Sequence, residues 1–460
     1  MNTHATSEIE AVAPQAHKLK EEGVHTKLNR WLLALALIIV ASAATLVVAT
    51  TGGAAAGPSG SITVWVDAVR LPVTKLYVQT HPNVHVNIVT YDGDGNGATT
   101  MQTKIQLWNR TGHGWPDVIF SEQANDPVWM GQKPFDYAED LNGVFPKKLL
   151  TFWPAPSLAQ CTVNGRLVCL QDNLAQEVLY VNKKLMDQFG YSVPTTWQQW
   201  AALGQKVAAQ HPGYIIGNIG DSYGAWLYLW ADKCPISQVV GQNTVRINSG
   251  DVHCTRMANL LDPLIKSGVV PPESVFTADF ATKYGGANDK ILLMPGPTWY
   301  AKDIFSGTLN VPAGQLTAAL PLRWNNEPLV TGQVGGGPWI VSKHTKNMAA
   351  AIDFVKWVTT SDKAKAVAPG YPSYGPAAAY WLARLDKDSY FAAPEGPAMK
   401  TAASLVWKGW SMVTYPDQPV WSNSVVTQLV AGKSLSSLLP ALGNGLAQNA
   451  QAAGYKVVRK

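Results

Sequence analysis

The stretch YDGDGNGATT, Tyr91 to Thr100, sets Asp92, Asp94, Asn96 and Gly97 in the order of the first half of an EF-hand calcium loop. Such a loop needs a bidentate carboxylate at its twelfth position to complete the oxygen shell. Counted from Asp92, that position is Thr103, and the segment before the loop is strand-like where an entering helix belongs. No metal is therefore expected. The loop reads either as a plain turn or as a Gly-rich connection from a strand to a helix, at the edge where open α/β sheets bind ligands. In the second case Asp92, Asp94 and Asn96 can accept hydrogen bonds from hydroxyl groups. Glu122, Asp172 and Glu177 could supply the paired carboxylates of a glycosidase, if the fold sets two of them across a scissile bond. The sequence contains no H-E-x-x-H or P-loop motif. Cys161, Cys169, Cys234 and Cys254 lack zinc-site spacing. Both sequence-near pairs enclose polar, turn-prone segments, so Cys161–Cys169 and Cys234–Cys254 are the expected disulfides, with four buried free thiols as the alternative.

These residues sit in a chain of 460 residues, long enough for two lobes or domains. It is 47% hydrophobic and 15% charged, as a folded body is. Lys18, Lys20, Lys27 and Arg30 cancel Glu8, Glu10, Glu21 and Glu22 within residues 1–56, so the net charge of +5 belongs to the rest. That balance is too small and scattered to argue for nucleic acid. The 18 Trp and 16 Tyr suggest either an aromatic core or a cleft that stacks on flat apolar faces such as sugar rings.

Residues 1–30 read as a polar leader, and Trp31–Thr50 run without a charge for the length of a bilayer. Lys27 and Arg30 precede this run, which places the leader inside and the body outside the cytoplasm. Residues 31–51 are thus expected to be a transmembrane anchor or a long signal sequence, cleaved after Ala56 in the second case, with residues 52–61 as a tether. Beyond it, Ile62–Val66, Val84–Tyr91 and Pro116–Phe120 are predicted strands, and Met101, Ile105 and Trp108 mark a helix face between the last two. Strand, helix, strand is the rhythm of a parallel sheet. Thr196 to Gln199 form a capping box ahead of Trp200, Leu203 and Val207. Further strands are predicted at Lys290–Gly296, Leu316–Leu322 and Gly337–Ser342, with a helical stripe at Ala351, Phe354, Val355 and Val358.

The order of six segments resembles the carbohydrate-capturing solute-binding proteins of ABC importers, the maltose-binding-protein-like family 1, over about residues 62–450. They are ITVWVDA, PDVIFSEQAN, VNGRLVCLQDNLAQEVLYVNKKLMDQFGYSVPTTWQQW, MPGPTWY, GGGPWIVSKHTKNMAAAIDFVKWV and YPDQPVWSNSVVTQLVAGK. The resemblance implies a two-lobed α/β periplasmic-binding-protein-like fold (type II). Lobe one would comprise residues 62–171 plus 323–372, and lobe two residues 172–322 plus 373–460. A sugar or oligosaccharide would lie in the cleft between them and pass to ABC permease subunits in the membrane. The protein would be a monomer without cofactor or catalytic residues. By the same resemblance, Trp299 and Trp421 would stack on sugar, with Tyr223 lining the second lobe. Asp67, Glu122, Gln123, Asn125 and Asp172 would partner hydroxyls, and Gly336 and Gly337, with Gly335, would let the backbone approach the ligand. Two other classes are a membrane-tethered ligand sensor and a glycan-processing enzyme. The motif departs from the family at Cys169–Asp172, where a Pro is common, and in lacking a lipid-anchor Cys.

Overall fold

The computed structural model describes residues 58–93, 99–241, 243–409, 415 and 417–460. The expected membrane segment 31–51 and the loop residues Asp94 to Gly97 lie outside the described residues. Among those described, no helix is long and apolar enough to cross a membrane.

The chain opens with β1 (Gly60–Val66), α1 (Leu71–Thr80), β2 (Val84–Thr90), α2 (Thr99–Thr111) and β3 (Val118–Phe120). It continues through β4 (Leu170–Gln171), β5 (Glu177–Asn182), α3 (Trp197–Gln210), β6 (Leu293–Pro297), β7 (Leu316–Ala319), β8 (Pro338–Val341) and α4 (Met348–Thr360), with further helices between and after. The first sheet has the order β2-β1-β3-β8-β4. Its first three strands are parallel, with Ile62 opposite Val86 and Val64 opposite Val118. Strand β8 returns antiparallel to both β3 and β4. The predicted helix faces are buried against this sheet: Met101, Ile105 and Trp108 on α2, and Ala351, Phe354, Val355 and Val358 on α4.

The second sheet places β5 between β6 and β7, antiparallel to each. All six residues of β5 are buried. Leu179 and Val181 enter one apolar cluster while Val178 and Tyr180 enter another, because alternate side chains leave opposite faces of a strand. A strand covered on both faces reads as a continuous apolar run, as EVLYV does. On α3, Thr196 Oγ1 accepts from Gln199 N at 3.1 Å, while Gln199 Oε1 accepts from Thr195 N at 2.9 Å, so the reciprocal half of the capping box falls one residue early.

The two lobes are joined by three strips of chain lying side by side. Asp172 N donates to Gly337 O at 2.8 Å, Val334 N to Ala175 O at 3.0 Å and Leu174 N to Tyr371 O at 2.8 Å. Side chains add to this: Gln171 Nε2 donates to Gly336 O at 2.6 Å across two strips, and Gln333 Nε2 donates to Gly335 O at 2.8 Å within one.

Both expected disulfides are present, Cys161–Cys169 and Cys234–Cys254, with no free cysteine. The second closes the longer span, 20 residues, between the end of the Trp-rich segment Ala225–Trp230 and the helix Val252–Lys266. Closing a loop of that size restricts the unfolded chain by ~3 kcal/mol. Cys254→Ser is therefore expected to lower the urea-derived stability by about that amount, and Cys161→Ser, in a shorter loop, by less. Equal losses from the two would contradict the loop-length account.

Candidate functional site

Asp67 follows β1, and Ser121, Glu122 and Gln123 follow β3, so the carboxyl ends of neighbouring parallel strands deliver these residues to one edge. There they meet residues of the second lobe around a cavity of about 650 Å³. Arg70, Glu122 and Gln123 line it from the first lobe, and Tyr223, Phe276 and Trp299 from the second. Asn173, Gly335 and Gly336 of the connecting strips also line it.

The first wall is polar and organised by Arg70. Its Nη1 donates to Asp67 Oδ2 at 2.9 Å and its Nη2 to Asn173 Oδ1 at 3.1 Å. Glu122 Oε1 and Asp172 Oδ2 each lie 3.8 Å from the guanidinium nitrogens, and Phe120 lies under the guanidinium at 4.4 Å. Three carboxyls thus face one cation. Burial raises the pKa of Glu122 to about 8, a hydrogen bond with Asp67 adds to the rise, and Arg70 offsets part of it. Gly93, at φ +66°, closes against this pair: a Cβ there would sit 2.8 Å from Glu122 Cγ and 3.3 Å from Asp67 Cβ. The described part of the opening loop thus supports the carboxyl pair through its backbone.

The second wall is aromatic. Trp299 Nε1 donates to Val334 O at 2.8 Å, which fixes the indole, and the ring stacks on Phe276 with centroids 6.2 Å apart and planes at 23°. Phe276 is 49% exposed, too open for a core residue of its size. The two loops that carry Tyr223 and Phe276 are tied by buried Asp221. Its carboxylate accepts from Asn218 Nδ2 at 2.7 Å, Ser274 Oγ at 2.6 Å, Val275 N at 3.1 Å and Tyr300 OH at 3.2 Å. Burial pushes the Asp221 pKa up, and these four donors offset part of the rise.

Across the cavity, Gln418 Nε2 donates to Gln123 Oε1 at 2.8 Å, a buried hydrogen bond from one lobe to the other.

Of the residues anticipated from sequence, Glu122, Gln123, Tyr223, Trp299, Gly335 and Gly336 line the cavity. Gly335 and Gly336 have φ of +80° and +93°, conformations that favour glycine. Asp67, Asn125, Asp172, Gly337 and Trp421 do not line it, each for a physical reason. The Asp67 carboxylate is taken up by the backbone N and guanidinium of Arg70. Asn125 is 7% exposed at the start of the short helix Asp126–Met130. Asp172 turns behind the connecting strips, where Trp339 Nε1 donates to its Oδ1 at 3.0 Å. A Cβ on Gly337 would lie 2.2 Å from Phe120 Cζ and 2.3 Å from Ser121 O, so its close approach is to protein. Trp421 is 1% exposed and packs over Gly224 in the core, while the next residue, Ser422, reaches the cavity. Arg70, Asp221 and Phe276 were missed. Only Arg70 had a local signal, a cation three residues after a strand-terminal Asp. Of the glycosidase candidates, Glu177 is buried in β5, so Glu122 alone of the three lines the cavity. Among the described residues, no group of three or more His, Cys, Asp or Glu could hold a metal ion.

A pH dependence follows from Glu122. Its carboxyl holds a proton to about pH 8 when folded but releases it near its ordinary 4.5 when unfolded. Between those values the folded state binds more protons, so this contribution to stability is full below 4.5, falls as pH rises, and is gone above about 8. Asp172, raised to about 6 by burial, and Glu395, raised to about 8, add slopes of the same sign. Glu122→Gln removes only its own slope. In urea titrations the variant should therefore gain stability relative to the natural chain on going from about pH 5 to about pH 9. Parallel pH curves for the two proteins would refute this assignment.

The model of the bacterial extracellular solute-binding proteins matches residues 59–241. A probable ABC transporter-binding protein of Deinococcus radiodurans is 25% identical over 281 residues, covering 57% of this chain and 62% of the relative. The chain therefore spans somewhat less than two thirds of that relative's length. Two solved structures share the fold at a TM-score of 0.70. One is the ABC transporter-associated binding protein of B. animalis subsp. lactis Bl-04 in complex with β-1,6-galactobiose, 18% identical, covering 87% of this chain and 99% of that one. The other is the galacto-N-biose-/lacto-N-biose I-binding protein of Bifidobacterium longum in complex with lacto-N-biose, 16% identical, covering 88% and 100%. The resemblance drawn from the six segments thus extends to the fold, which is the two-lobed type II arrangement of these binding proteins.

Proposed function

We propose that this chain, similar to the bacterial extracellular solute-binding proteins over residues 59–241 and in fold over most of its length, captures a sugar or oligosaccharide between its lobes for an ABC-type permease. One observation carries the reading: the cavity between the lobes faces the Trp299–Phe276 stack with the polar group of Arg70, Glu122 and Gln123. A sugar ring has C–H faces for the first and edge hydroxyls for the second, and a mostly preformed cleft with a few convergent polar groups is the usual form of such a site. The names of the relatives, a transporter-binding protein and two disaccharide complexes, support the same class.

In this reading the body works outside the cytoplasm as a monomer, and the chain binds without turning its ligand over. The lobes exchange at the strips 171–176, 334–337 and 370–373. Burial of Val334 within the second lobe's core favours placing the return crossing after that residue, later than residue 323. Closure buries the ligand and presents a surface spanning both lobes to the permease.

The test is a thermal melt of the full-length chain against maltose, lactose, cellobiose, maltotriose and monosaccharides, with the sugar assayed afterwards. A bound sugar at about 100 times its Kd adds ~2.7 kcal/mol to the folded state. A shift with one sugar class and the sugar recovered intact is expected. Consumption of the sugar, or no shift with any carbohydrate, would overturn the reading.

A further inference from the structure

A second cavity, of about 440 Å³, also lies between the lobes, and nothing in the sugar reading uses it. Gln132 and Asn164 line it from the first lobe, and Trp230, Asn243, Trp407 and Lys408 from the second. It is on the far side of the connecting strips from the first cavity. Gln160, which lines this second cavity, donates through Nε2 to Gln333 Oε1 at 3.2 Å, and Gln333 donates to the carbonyl of Gly335, which lines the first. A line of hydrogen bonds therefore divides a front chamber from a rear one. The rear walls are braced. Cys161–Cys169 holds the turn that carries Gln160 and Asn164, and Trp230 Nε1 donates to Trp407 O at 2.9 Å. The chemistry repeats that of the front: the half-buried indole of Trp407 beside amide side chains that both donate and accept. It differs in charge, since among the described residues Lys408 is the one charged residue of this lining.

We propose that this rear chamber is a second saccharide site, and that its occupant favours the closed arrangement of the front one. This rests on the reading of the front chamber as a sugar site. The coupling follows from geometry. Here the front walls are bridged by the Gln123–Gln418 bond, and the rear groove lies across the connecting strips from it. Rotation about the strips that parts the front walls must bring the rear walls together. A molecule seated in the rear therefore holds the front shut, and the effect is reciprocal.

The experiment measures stoichiometry by equilibrium dialysis of the full-length chain with whichever of maltose, lactose, cellobiose or maltotriose shifts its melting temperature. Two equivalents are expected in the natural chain and one in the double variant Asn164→Ala/Lys408→Ala. Both of these side chains are exposed, so the variant keeps its fold, and its remaining site should bind roughly fivefold or more weakly. Trp299→Ala should instead remove the front equivalent and leave the rear one. A single equivalent in the natural chain, or a double variant with unchanged stoichiometry and affinity, overturns the proposal while leaving the front site standing. Two equivalents that both survive Trp299→Ala overturn the front assignment instead, and no binding by any of the four sugars overturns both.

Discussion

Trp299→Ala is expected to weaken sugar binding by about 2–4 kcal/mol, roughly 30- to 1,000-fold, while Trp421→Ala leaves the affinity of the folded protein close to that of the natural chain. The two tryptophans were indistinguishable as stacking candidates, and their surroundings separate them. The Trp299 indole is anchored at its nitrogen by Val334 O, stacks on Phe276 and lines the cavity. An anchored ring loses little freedom when a ligand stacks on it, so more of the contact appears as affinity. Truncating it removes that contact and loosens Phe276 beside it. Trp421 is 1% exposed within the second lobe's core, and its removal leaves a cavity costing about 3–5 kcal/mol of stability. Titration calorimetry and urea denaturation on both variants give a crossed pattern: affinity lost with modest destabilisation for Trp299, stability lost with affinity kept for Trp421. Trp299→Phe, which keeps a ring but loses the bond to Val334, should fall between the natural chain and Trp299→Ala. Lost affinity in Trp421→Ala at a temperature where it remains folded would refute the division.

The same pair shows what the sequence could and could not reveal. Strands β3 and β8 were legible as short apolar runs because every residue in them is buried, β1 and β2 as runs of β-forming residues, and the faces of α2 and α4 because burial on one side imposes a period of 3.6. Glu122 and Gln123 were placed near the cavity by the resemblance of PDVIFSEQAN to the family's segment, and both line it. Orientation is a different matter. Trp421 and Ser422 are adjacent on one helical path, and about 100° of rotation puts the first in the core and the second in the cavity. A quoted motif fixes the position along the chain and leaves that angle open. Asp67 was placed at the correct edge, but its role depends on Arg70, which takes up the carboxylate. Phe276 and Asp221 are 55 residues apart in sequence and act through one another's loops, so no local pattern announces them. The disulfides were readable because each links cysteines close in sequence.

Asp221→Ala is expected to cost about 3–5 kcal/mol of stability, as much as Trp421→Ala, but with loss of sugar binding in the protein that still folds. Its carboxylate is the shared acceptor of four donors drawn from three stretches of chain: Asn218, Ser274 with Val275, and Tyr300. Val275 and Tyr300 are fully buried, and a buried donor left without an acceptor costs about 1–3 kcal/mol. Water that enters beside Ser274 can recover part of the remainder. The affinity loss has a separate cause. The loop of Ser222 and Tyr223 and the loop of Ser274 and Phe276 line the cavity and are held at a common distance by this carboxylate. Without it the two aromatic side chains move independently, and the stack beside Trp299 is no longer preorganised. Asp221→Asn separates the two effects. The amide keeps the volume and one acceptor oxygen but turns an NH2 group toward some of the same donors, so stability should fall by less than in the alanine variant while affinity still drops. Urea denaturation followed by calorimetry at a temperature where each variant is folded reads both quantities. An alanine variant with the stability of the natural chain would mean that Asp221 does not tie these loops, and Tyr223 and Phe276 would then owe their positions to packing alone.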